Sequence, residues 1–297
     1  MCTVSKQTLP VRPPKHFAVD IDGTFLSFND TQFAKNKKAF EKALKAGYNV
    51  FFCTGSYFYS HPYKFLGRPY TSSMAVLDDD FVRSTGYRGF PGVYHNGGVV
   101  YDGNGNVLRL SHFGASFMSQ FCDYIVAHNL EKYVVFCDML ETYMLCEEST
   151  LMKPALADID VLSAPTVVTR DMLLDMKISL LIISDSNILT NQTNLQRGVD
   201  YVLKEGSLGT WDVTPCGVTK AQGLKVLLDS YGCSSENCGF IGNGTNDIEA
   251  MTLTDISFAV DNASEDVKAY AKYTLAENND EGAFHKAMEI VYGISPE

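Results

Sequence analysis

The 297-residue sequence lacks several features that would place it in a specialised class of protein. It contains no apolar run near the roughly 20 residues that cross a membrane, and its first residues hold no apolar core of signal-peptide length. Basic residues are few, since 24 Lys and Arg stand against 35 Asp and Glu, for a net charge of −11. Because nucleic-acid backbones are bound by clustered Lys and Arg, we expect no nucleic-acid partner. Because no apolar run is long enough, we expect no membrane association either.

The eight cysteines lack the spacing of a metal or disulfide motif. None forms a Cys-x-x-Cys pair, the six histidines do not cluster with them, and Cys53, Cys122 and Cys137 lie within apolar runs. We therefore expect free thiols, no zinc site and a cytoplasmic protein. Repeats and low-complexity tracts are also absent. At 45% hydrophobic and 20% charged residues, the composition is that of an ordinary globular protein with room for about two domains.

The most informative segment that is present runs from Phe17 to Thr24 and reads Phe-Ala-Val-Asp-Ile-Asp-Gly-Thr. Its apolar start is typical of a strand buried on both faces, and it ends at two carboxylates, Asp20 and Asp22. On an extended chain both acids share one side, so both can face the crevice at the carboxyl end of a parallel sheet. A divalent cation would relieve their repulsion, as would one ionised and one protonated carboxyl. An ordinary Asp-Gly turn is the alternative interpretation.

Two further apolar runs also end in polar residues. One ends in Thr54 and Gly55, the other in Asn246 and Asp247, and Lys220 precedes a helical pattern between them. Taken singly, these residues have structural alternatives, namely a strand-end cap, a helix N-cap and a surface lysine. Taken together, carboxylates, a hydroxyl, an amide and a lysine make a cation site beside an anion site, as a phosphate ester and its metal require.

These segments, in this order, resemble the motifs of the haloacid dehalogenase superfamily, and within it the Cof-type phosphatases with an α/β cap. The stretch Asp20 to Thr24 resembles the first motif, Thr54 the second, Lys220 the third, and Gly242 to Asp247 the fourth. The resemblance runs from about residue 16 to the C-terminus. Further family-like segments are residues 95–98, His-Asn-Gly-Gly, and residues 261–268.

The resemblance implies a doubly wound, parallel-sheet (Rossmann-like) α/β core with an inserted α/β cap. The patterning independently indicates a strand, a helix over 31–46 that Asp30 caps, and a second strand, hence a parallel pair with a crossover helix. The pattern changes near residue 110. We assign residues 1–109 and 215–297 to the catalytic core and 110–214 to the cap. A hairpin of residues 99–101 and 107–108 and a helix over 264–272 are also predicted, whereas residues 57–90 have no clear assignment.

The resemblance further implies a phosphatase that acts on a small phosphorylated metabolite, such as a sugar phosphate, through an aspartyl-phosphate intermediate. Asp20 would be the nucleophile, and Asp22 would protonate the leaving alcohol and then activate water. The ligands of a Mg²⁺ cofactor would be Asp20, the backbone carbonyl of Asp22, Asn243 and Asp247. The phosphate oxygens would be bound by Thr54, Gly55, Lys220 and Asn246.

Two positions depart from the family pattern. Asn243 stands where the family usually has Asp, and its amide oxygen can ligate a hard cation without adding charge, which weakens metal binding by about a kcal/mol or more. Ser56 stands where many relatives carry Arg. Two alternative functions stay open: a phosphomutase or phosphotransferase that passes phosphate to a second alcohol, and a phosphate-ligand binder whose catalysis is weakened by Asn243.

Overall fold

The computed structural model of the chain describes residues 12–56, 77, 79–147, 165–192, 194–206 and 209–297. Most of the stretch for which the sequence indicated no element, residues 57–76 and residue 78, lies outside them. The described chain forms an eight-stranded sheet and a six-stranded sheet, each packed against helices around a hydrophobic core of its own. This mixed α/β architecture with a parallel core sheet confirms the predicted fold class.

The larger sheet is built from both ends of the chain. Its strands are β1 His16–Val19, β2 Asn49–Cys53, β3 Gly92–Tyr94, β4 Val99–Tyr101, β5 Val107–Leu110, β12 Cys238–Gly242, β13 Ile256–Ala259 and β14 Tyr273–Thr274. They are ordered β14-β13-β12-β1-β2-β3-β4-β5, parallel from β14 to β3 and antiparallel from β3 to β5. The predicted hairpin is therefore confirmed as β4 and β5. Because β1 is central, its apolar residues are buried.

Helices connect these strands and cover the sheet. Those of the core are α1 Asp30–Lys45, α2 Asp79–Thr85, α6 Lys220–Ser230, α7 Ile248–Leu253, α8 Glu265–Lys268 and α9 Ala283–Tyr292. The predicted crossover helix is α1, but the predicted cap is wrong. Asn29 caps α1 by accepting hydrogen bonds from the amides of Thr31 and Gln32. Asp30 lies in the first turn instead, where its charge favours the positive end of the helix dipole.

The smaller sheet belongs to the middle of the chain. Its strands are β6 Val134–Cys137, β7 Thr142–Met144, β8 Thr166–Val167, β9 Leu180–Ile183, β10 Tyr201–Glu205 and β11 Trp211–Pro215, ordered β10-β11-β9-β6-β7-β8. Its helices are α3 Ala115–Ala127, α4 Arg170–Leu174 and α5 Asn187–Thr190. The chain leaves the larger sheet after Leu110, and the last strand of the smaller sheet ends at Pro215. The cap limits at residues 110 and 214 stay a prediction.

Buried phenylalanine rings anchor the turn that follows β1. The Phe25 ring lies 5.2 Å from that of Phe52 and 4.8 Å from that of Phe284 between ring centroids, in edge-to-face contact. All three side chains are fully buried, which contributes about 1.5–3 kcal/mol for each ring. Apolar packing therefore fixes the backbone that carries Asp20 and Asp22.

The described cysteines form no disulfide, in agreement with the expected free thiols. Cys2 lies outside the described residues, and the free cysteines are Cys53, Cys122, Cys137, Cys146, Cys216, Cys233 and Cys238. Of the helices in the described part of the chain, none combines the length and the apolar character that a membrane crossing needs.

Candidate active site

The carboxyl ends of three neighbouring strands bring the predicted site together. β1 pairs in parallel with β12 on one side and with β2 on the other, and Val19 lies level with Ile241 and Phe52. The polar residues that follow the three strands therefore emerge at one edge of the sheet, as the sequence predicted.

Lys220 is a buried cation at the centre of this edge. Its Nζ donates to Asp20 Oδ1 at 2.6 Å and to Asp247 Oδ1 at 2.7 Å, and the residue is only 1% exposed. Lys220 is the first residue of α6, whose N-terminus is capped by Thr219 through the Gln222 amide. The lysine therefore joins the first and fourth motifs, which lie more than two hundred residues apart in the chain.

The absence of a side chain at Gly223 allows α6 to approach the sheet edge closely. A Cβ at this position would lie 2.6 Å from Val93 Cγ1 and 2.7 Å from Gly97 Cα, so any larger residue would push the helix away from β3. Lys220 lies one turn earlier in the helix, and the close approach of α6 to the sheet brings its side chain to the carboxylates of Asp20 and Asp247.

The buried charges at the site do not balance. Burial raises the pKa of the Asp20 carboxyl to about 7; Lys220 opposes the rise, whereas Asp247 and Asp22 add to it. Burial by itself would lower the pKa of Lys220, but Asp20 and Asp247 raise it above its ordinary value. Lys220 is therefore a permanent cation, and its single charge faces two carboxylates directly with a third nearby. The excess of negative charge favours binding of a further cation.

Asp22 reaches the site by a route that the sequence did not predict. β1 ends before Asp20, and residues 21–25 form an irregular turn in which Asp22 keeps extended backbone angles and Gly23 has a positive φ of 68°. The alignment of the two acids that was expected on an extended chain stays a prediction. Asp22 Oδ2 accepts a hydrogen bond from Ser56 Oγ at 3.0 Å, and the Ser56 amide donates to Thr54 Oγ1 at 3.1 Å. Ser56, which departs from the family pattern, thus holds Asp22 against the loop that follows β2.

Thr24 joins the first motif to the departing residue of the fourth. Its Oγ1 lies 3.1 Å from Asp20 Oδ2 and 3.1 Å from Asn243 Oδ1. A hydroxyl has one proton, so Thr24 donates to one of these oxygens at a time. The oxygens of Asp20 and Asn243 therefore lie around a single hydroxyl.

Both carboxylate oxygens of Asp247 are engaged. Oδ1 accepts from Lys220, and Oδ2 accepts from the amides of Asn243 at 3.0 Å and Gly244 at 2.8 Å. Asp247 precedes α7 but makes no capping hydrogen bond to it, so the helix-cap alternative is wrong for this side chain. Its carboxylate instead shapes the loop of the fourth motif.

The oxygen donors at this edge fit a hard divalent cation. Asp20 offers a carboxylate, Asn243 an amide oxygen and Asp22 a backbone carbonyl, all of them donor types that Mg²⁺ accepts. Within the described ranges, no three His, Cys, Asp or Glu side chains are arranged to hold a metal by themselves. A cation here would therefore depend on neutral oxygens and on water, which Mg²⁺ usually retains.

Two residues at this edge were not predicted to belong to the site. Asn96, just after β3, accepts on Oδ1 from Asn246 Nδ2 at 2.8 Å and donates from Nδ2 to Asp212 Oδ2 at 3.0 Å. Asp212 belongs to β11 of the smaller sheet; burial raises its pKa to about 7, and the Asn96 hydrogen bond opposes the rise. Asn96 follows an apolar strand, so the rule that found Asp20 could have found it. Asp212 carries no such signal.

The predicted phosphate-binding residues lie on two sides of the site. Asn96 is surrounded by Thr54, Gly55 and Asn246. Its backbone amide donates to the Thr54 carbonyl, its side chain accepts from Asn246 Nδ2, and a Cβ on Gly55 would lie 3.1 Å from that side chain. Lys220 lies on the side of the carboxylates. The structure thus brings all the predicted residues to one edge, and their chemical roles stay predictions.

The chain is similar to known proteins along most of its length. A family profile of the haloacid dehalogenase-like hydrolases matches residues 17–287. The chain is 28% identical over 289 residues to 5-amino-6-(5-phospho-D-ribitylamino)uracil phosphatase YbjI of Escherichia coli (strain K12), covering 95% of this chain and 98% of that protein. It is 25% identical over 275 residues to the chloroplastic endoribonuclease YBEY of Arabidopsis thaliana. That match covers 89% of this chain but 44% of the relative, so the chain spans less than half of its length.

The fold is also similar to that of solved structures. A HAD/COF-like hydrolase from Plasmodium vivax superposes with a TM-score of 0.79 at 23% identity, covering 95% of this chain and 97% of that one. The family profile covers far more than half of the chain, and the fold agrees with it. The chain therefore belongs to the haloacid dehalogenase-like hydrolases.

Proposed function

We propose that the chain is a Mg²⁺-dependent phosphatase that hydrolyses small phosphorylated metabolites through an aspartyl-phosphate intermediate. The observation that carries the proposal is the buried contact of Lys220 with Asp20 and Asp247, beside the loop that holds Asp22. This arrangement combines a carboxylate nucleophile, a second carboxyl that can exchange a proton and a cation that can meet phosphate oxygens. Family membership and the phosphatase name of the E. coli relative support the reaction class.

The reaction has two displacement steps at phosphorus. In the first, an oxygen of Asp20 attacks phosphorus, the bond from phosphorus to the leaving oxygen breaks, and protonated Asp22 gives its proton to that oxygen. In the second, Asp22 takes a proton from water, whose oxygen attacks phosphorus and displaces the Asp20 carboxylate. Phosphate leaves, and the cycle ends with Asp20 ionised and Asp22 protonated, as it began.

The side chains around Asp20 fix the direction of attack. Lys220 holds Oδ1 and Thr24 lies at Oδ2, so the nucleophile cannot rotate freely. Orientation of this kind supplies much of the acceleration in phosphoryl transfer. The Thr54 hydroxyl, the Gly55 amide and Asn246 would hold nonbridging oxygens of the phosphate, while Lys220 would supply positive charge.

The residues proposed to hold Mg²⁺ are Asp20, the carbonyl of Asp22, Asn243 and, through water, Asp247. When bound, Mg²⁺ would neutralise charge on Asp20 and on the phosphoryl oxygens. Asp20 has to be ionised to attack, yet its pKa of about 7 leaves it partly protonated at neutral pH. Lys220 alone therefore does not keep the nucleophile fully charged, which supports the need for a cation.

The substrate class is that of phosphorylated sugars or polyols of metabolite size. The E. coli relative is named for a phosphoribityl compound, which is a polyol phosphate. The cap would close over the core, exclude water and choose the leaving group. Asp212 already enters the core site from the cap, which supports this division of labour.

A phosphate-ligand binder with weakened catalysis is the second candidate function. Asn243 favours it, because an amide oxygen adds no charge to a cation site. The contacts retained by Asp20, Asp22 and Lys220 favour catalysis instead.

Release of inorganic phosphate from a panel of sugar and polyol phosphates, with Mg²⁺ or with EDTA, tests the proposal. D20N should abolish release, whereas D229N, at an exposed aspartate of α6, should leave it unchanged. Equal release by wild type and D20N would overturn the proposal. If wild type is inert and N243D is active, the chain is a weakened binder. Transfer of phosphate to an added alcohol, instead of release, would identify a phosphotransferase.

A further inference from the structure

The turn that carries Asn96 has a strained backbone. His95, Asn96 and Gly97 have positive φ angles of 51°, 53° and 97° in succession. For residues with a side chain this left-handed conformation is unfavourable, and it persists only where the surroundings impose it. Here the His95 amide donates to the Ser56 carbonyl and the Asn96 amide to the Thr54 carbonyl, so the turn is fastened to the predicted phosphate loop.

The strained turn places the Asn96 side chain between the two parts of the molecule. Asn96 is 3% exposed, and both ends of its amide are engaged, with Asp212 of the cap and with Asn246 of the fourth motif. Asp212 Oδ2 also lies close over Gly55, 3.1 Å from where a Cβ would stand. The side-chain amide of Asn96 thus links the carboxylate of Asp212 in the cap to Asn246 in the fourth motif.

The chemistry of these groups fixes the direction of each hydrogen bond. An ionised carboxylate can only accept, so Asp212 requires Nδ2 of Asn96 to face it. The Asn96 Oδ1 must then face Asn246, and Asn246 must turn its own Nδ2 towards Asn96. A neutral partner at 212 would permit either orientation of both amides.

We propose that Asp212 is a positioning residue for the phosphatase reaction, which acts through Asn96 to fix the orientation of the Asn246 amide. The cap would thereby control how the core presents Asn246 to phosphate. The inference rests on the proposed function in one respect, that Asn246 binds the phosphate. Asp212 itself need not touch the substrate.

A simpler role for Asp212, adhesion between cap and core, makes a different prediction. The His95 ring and Ser179 Oγ form a second hydrogen bond between the two parts, with 2.7 Å between Nδ1 and Oγ. S179A is therefore a matched control that removes a cap-to-core bond without touching the relay of Asp212, Asn96 and Asn246.

The orientation of Asn246 can be measured without any activity. We would compare the ¹⁵N–¹H side-chain amide signals of wild type, D212A and S179A at about pH 8, above the pKa of Asp212 of about 7. The Asn246 signals should shift in D212A and stay in place in S179A. A shift confined to Asn96 in D212A would overturn the relay. D212N, which keeps the shape of the side chain, serves if D212A does not fold.

Steady-state kinetics provide the second readout. D212A and N246A should each lower kcat/KM by about tenfold, the effect of losing one well-placed hydrogen bond, and D212N by less. Because both residues act through one amide, the double variant should lose little more than either single variant. S179A should stay within about twofold of wild type. A double variant with the full product of both losses would contradict the relay.

The two readouts separate failure of the relay from failure of the proposed function. If wild type releases no phosphate but the Asn246 signals move in D212A, the function is wrong and the coupling of cap to core stands. If wild type is active while the signals stay fixed and the losses multiply, the function stands and the relay is wrong.

Discussion

Lys220 depends on its two partners as much as they depend on it. A buried lysine without an acidic neighbour would lose its proton, and a buried carboxylate without a cation would gain one. Here Lys220 Nζ lies within hydrogen-bond distance of both carboxylates, which keeps the lysine charged and opposes the rise in the pKa of Asp20. The residues that the proposed reaction requires therefore also contribute to the free energy of folding.

Replacing Lys220 should cost both stability and activity. K220M leaves two buried carboxylates without their cation, so we expect the free energy of unfolding to fall by about 3–5 kcal/mol and phosphate release to cease. The loss should be smaller at acidic pH, where Asp20 takes up a proton. Urea titrations at acidic and alkaline pH measure this. K225M, at an exposed lysine of the same helix, should change little, and an equal loss in both variants would contradict the assignment.

Replacing Asn243 by aspartate should strengthen metal binding. N243D adds a negative charge beside Asp20, so the Mg²⁺ concentration for half-maximal phosphate release should fall, by about tenfold if the charge is worth ~1.4 kcal/mol. Without metal the same charge adds repulsion, and the melting temperature in EDTA should drop. Mg²⁺ titrations of activity and of melting temperature test both signs. An unchanged half-saturation would mean that residue 243 does not contact the ion.

Single site residues could be predicted from the sequence where a local pattern marks them. Asp20 and Asp247 follow apolar runs, and Lys220 begins a helix, so general rules and the family resemblance found them. The contact of Ser56 with Asp22 depends on a turn that no local pattern indicates. Asp212 lies in a strand of another sheet, and only tertiary structure brings it to the core.

The position of α6 is set by the lack of a side chain at Gly223. The helix packs against the end of β3 at backbone distance, and this places its first residue over the sheet edge. Helix and strand are each predictable from apolar patterning, but the distance between them is a packing property that patterning does not encode.

G223A should displace α6 and so impair the site from outside it. The added methyl would lie 2.6 Å from Val93 Cγ1, and overpacking of this kind costs about 1–3 kcal/mol. We expect lower thermal stability together with a lower kcat, because Lys220 moves with the helix. Q222A, at the exposed neighbouring position, is the control and should behave like wild type. A G223A variant with the stability and the activity of wild type would show that the helix can shift without loss of either.

Element boundaries were harder to predict than elements. The crossover helix α1 was predicted within one residue, yet its cap was assigned to Asp30 because Asn29 and Asp30 are both good capping residues and spacing does not choose between them. α8 was predicted over 264–272 but ends at Lys268. Such short helices are stabilised by the packing of single residues, here Val267, more than by a repeated pattern.

The two halves of the molecule meet at His95, a buried histidine. Its ring lies against Ser179 of the cap, and burial lowers its pKa to about 3 from 6.5. Between about pH 3 and 6.5, His95 is protonated in the unfolded chain and neutral in the folded chain, so acid favours unfolding. The stability that depends on neutral His95 is complete above pH 6.5 and is lost as the pH falls towards 3.

We expect this dependence to vanish in H95N, whose asparagine also tolerates the left-handed backbone. The free energy of unfolding of wild type minus that of H95N should rise by up to about 1.4 kcal/mol per pH unit up to about pH 6.5, and then level off. Urea titrations across this range measure the difference, in which groups common to both proteins cancel. A difference that does not vary with pH would contradict the assignment.

The central position of β1 has a consequence for synthesis of the chain. β2 follows β1 closely, but its other neighbour, β12, is translated roughly 220 residues later, on the order of 10–40 s at ribosomal speeds. Throughout that interval one side of a strand that carries Phe17, Ala18 and Val19 offers unpaired amides and carbonyls, which is a template for association with other nascent chains. Products released before residue 238 should therefore aggregate. Of the strands in the described ranges, β1 comes first along the chain, yet its pairing is complete only when β12 has been made.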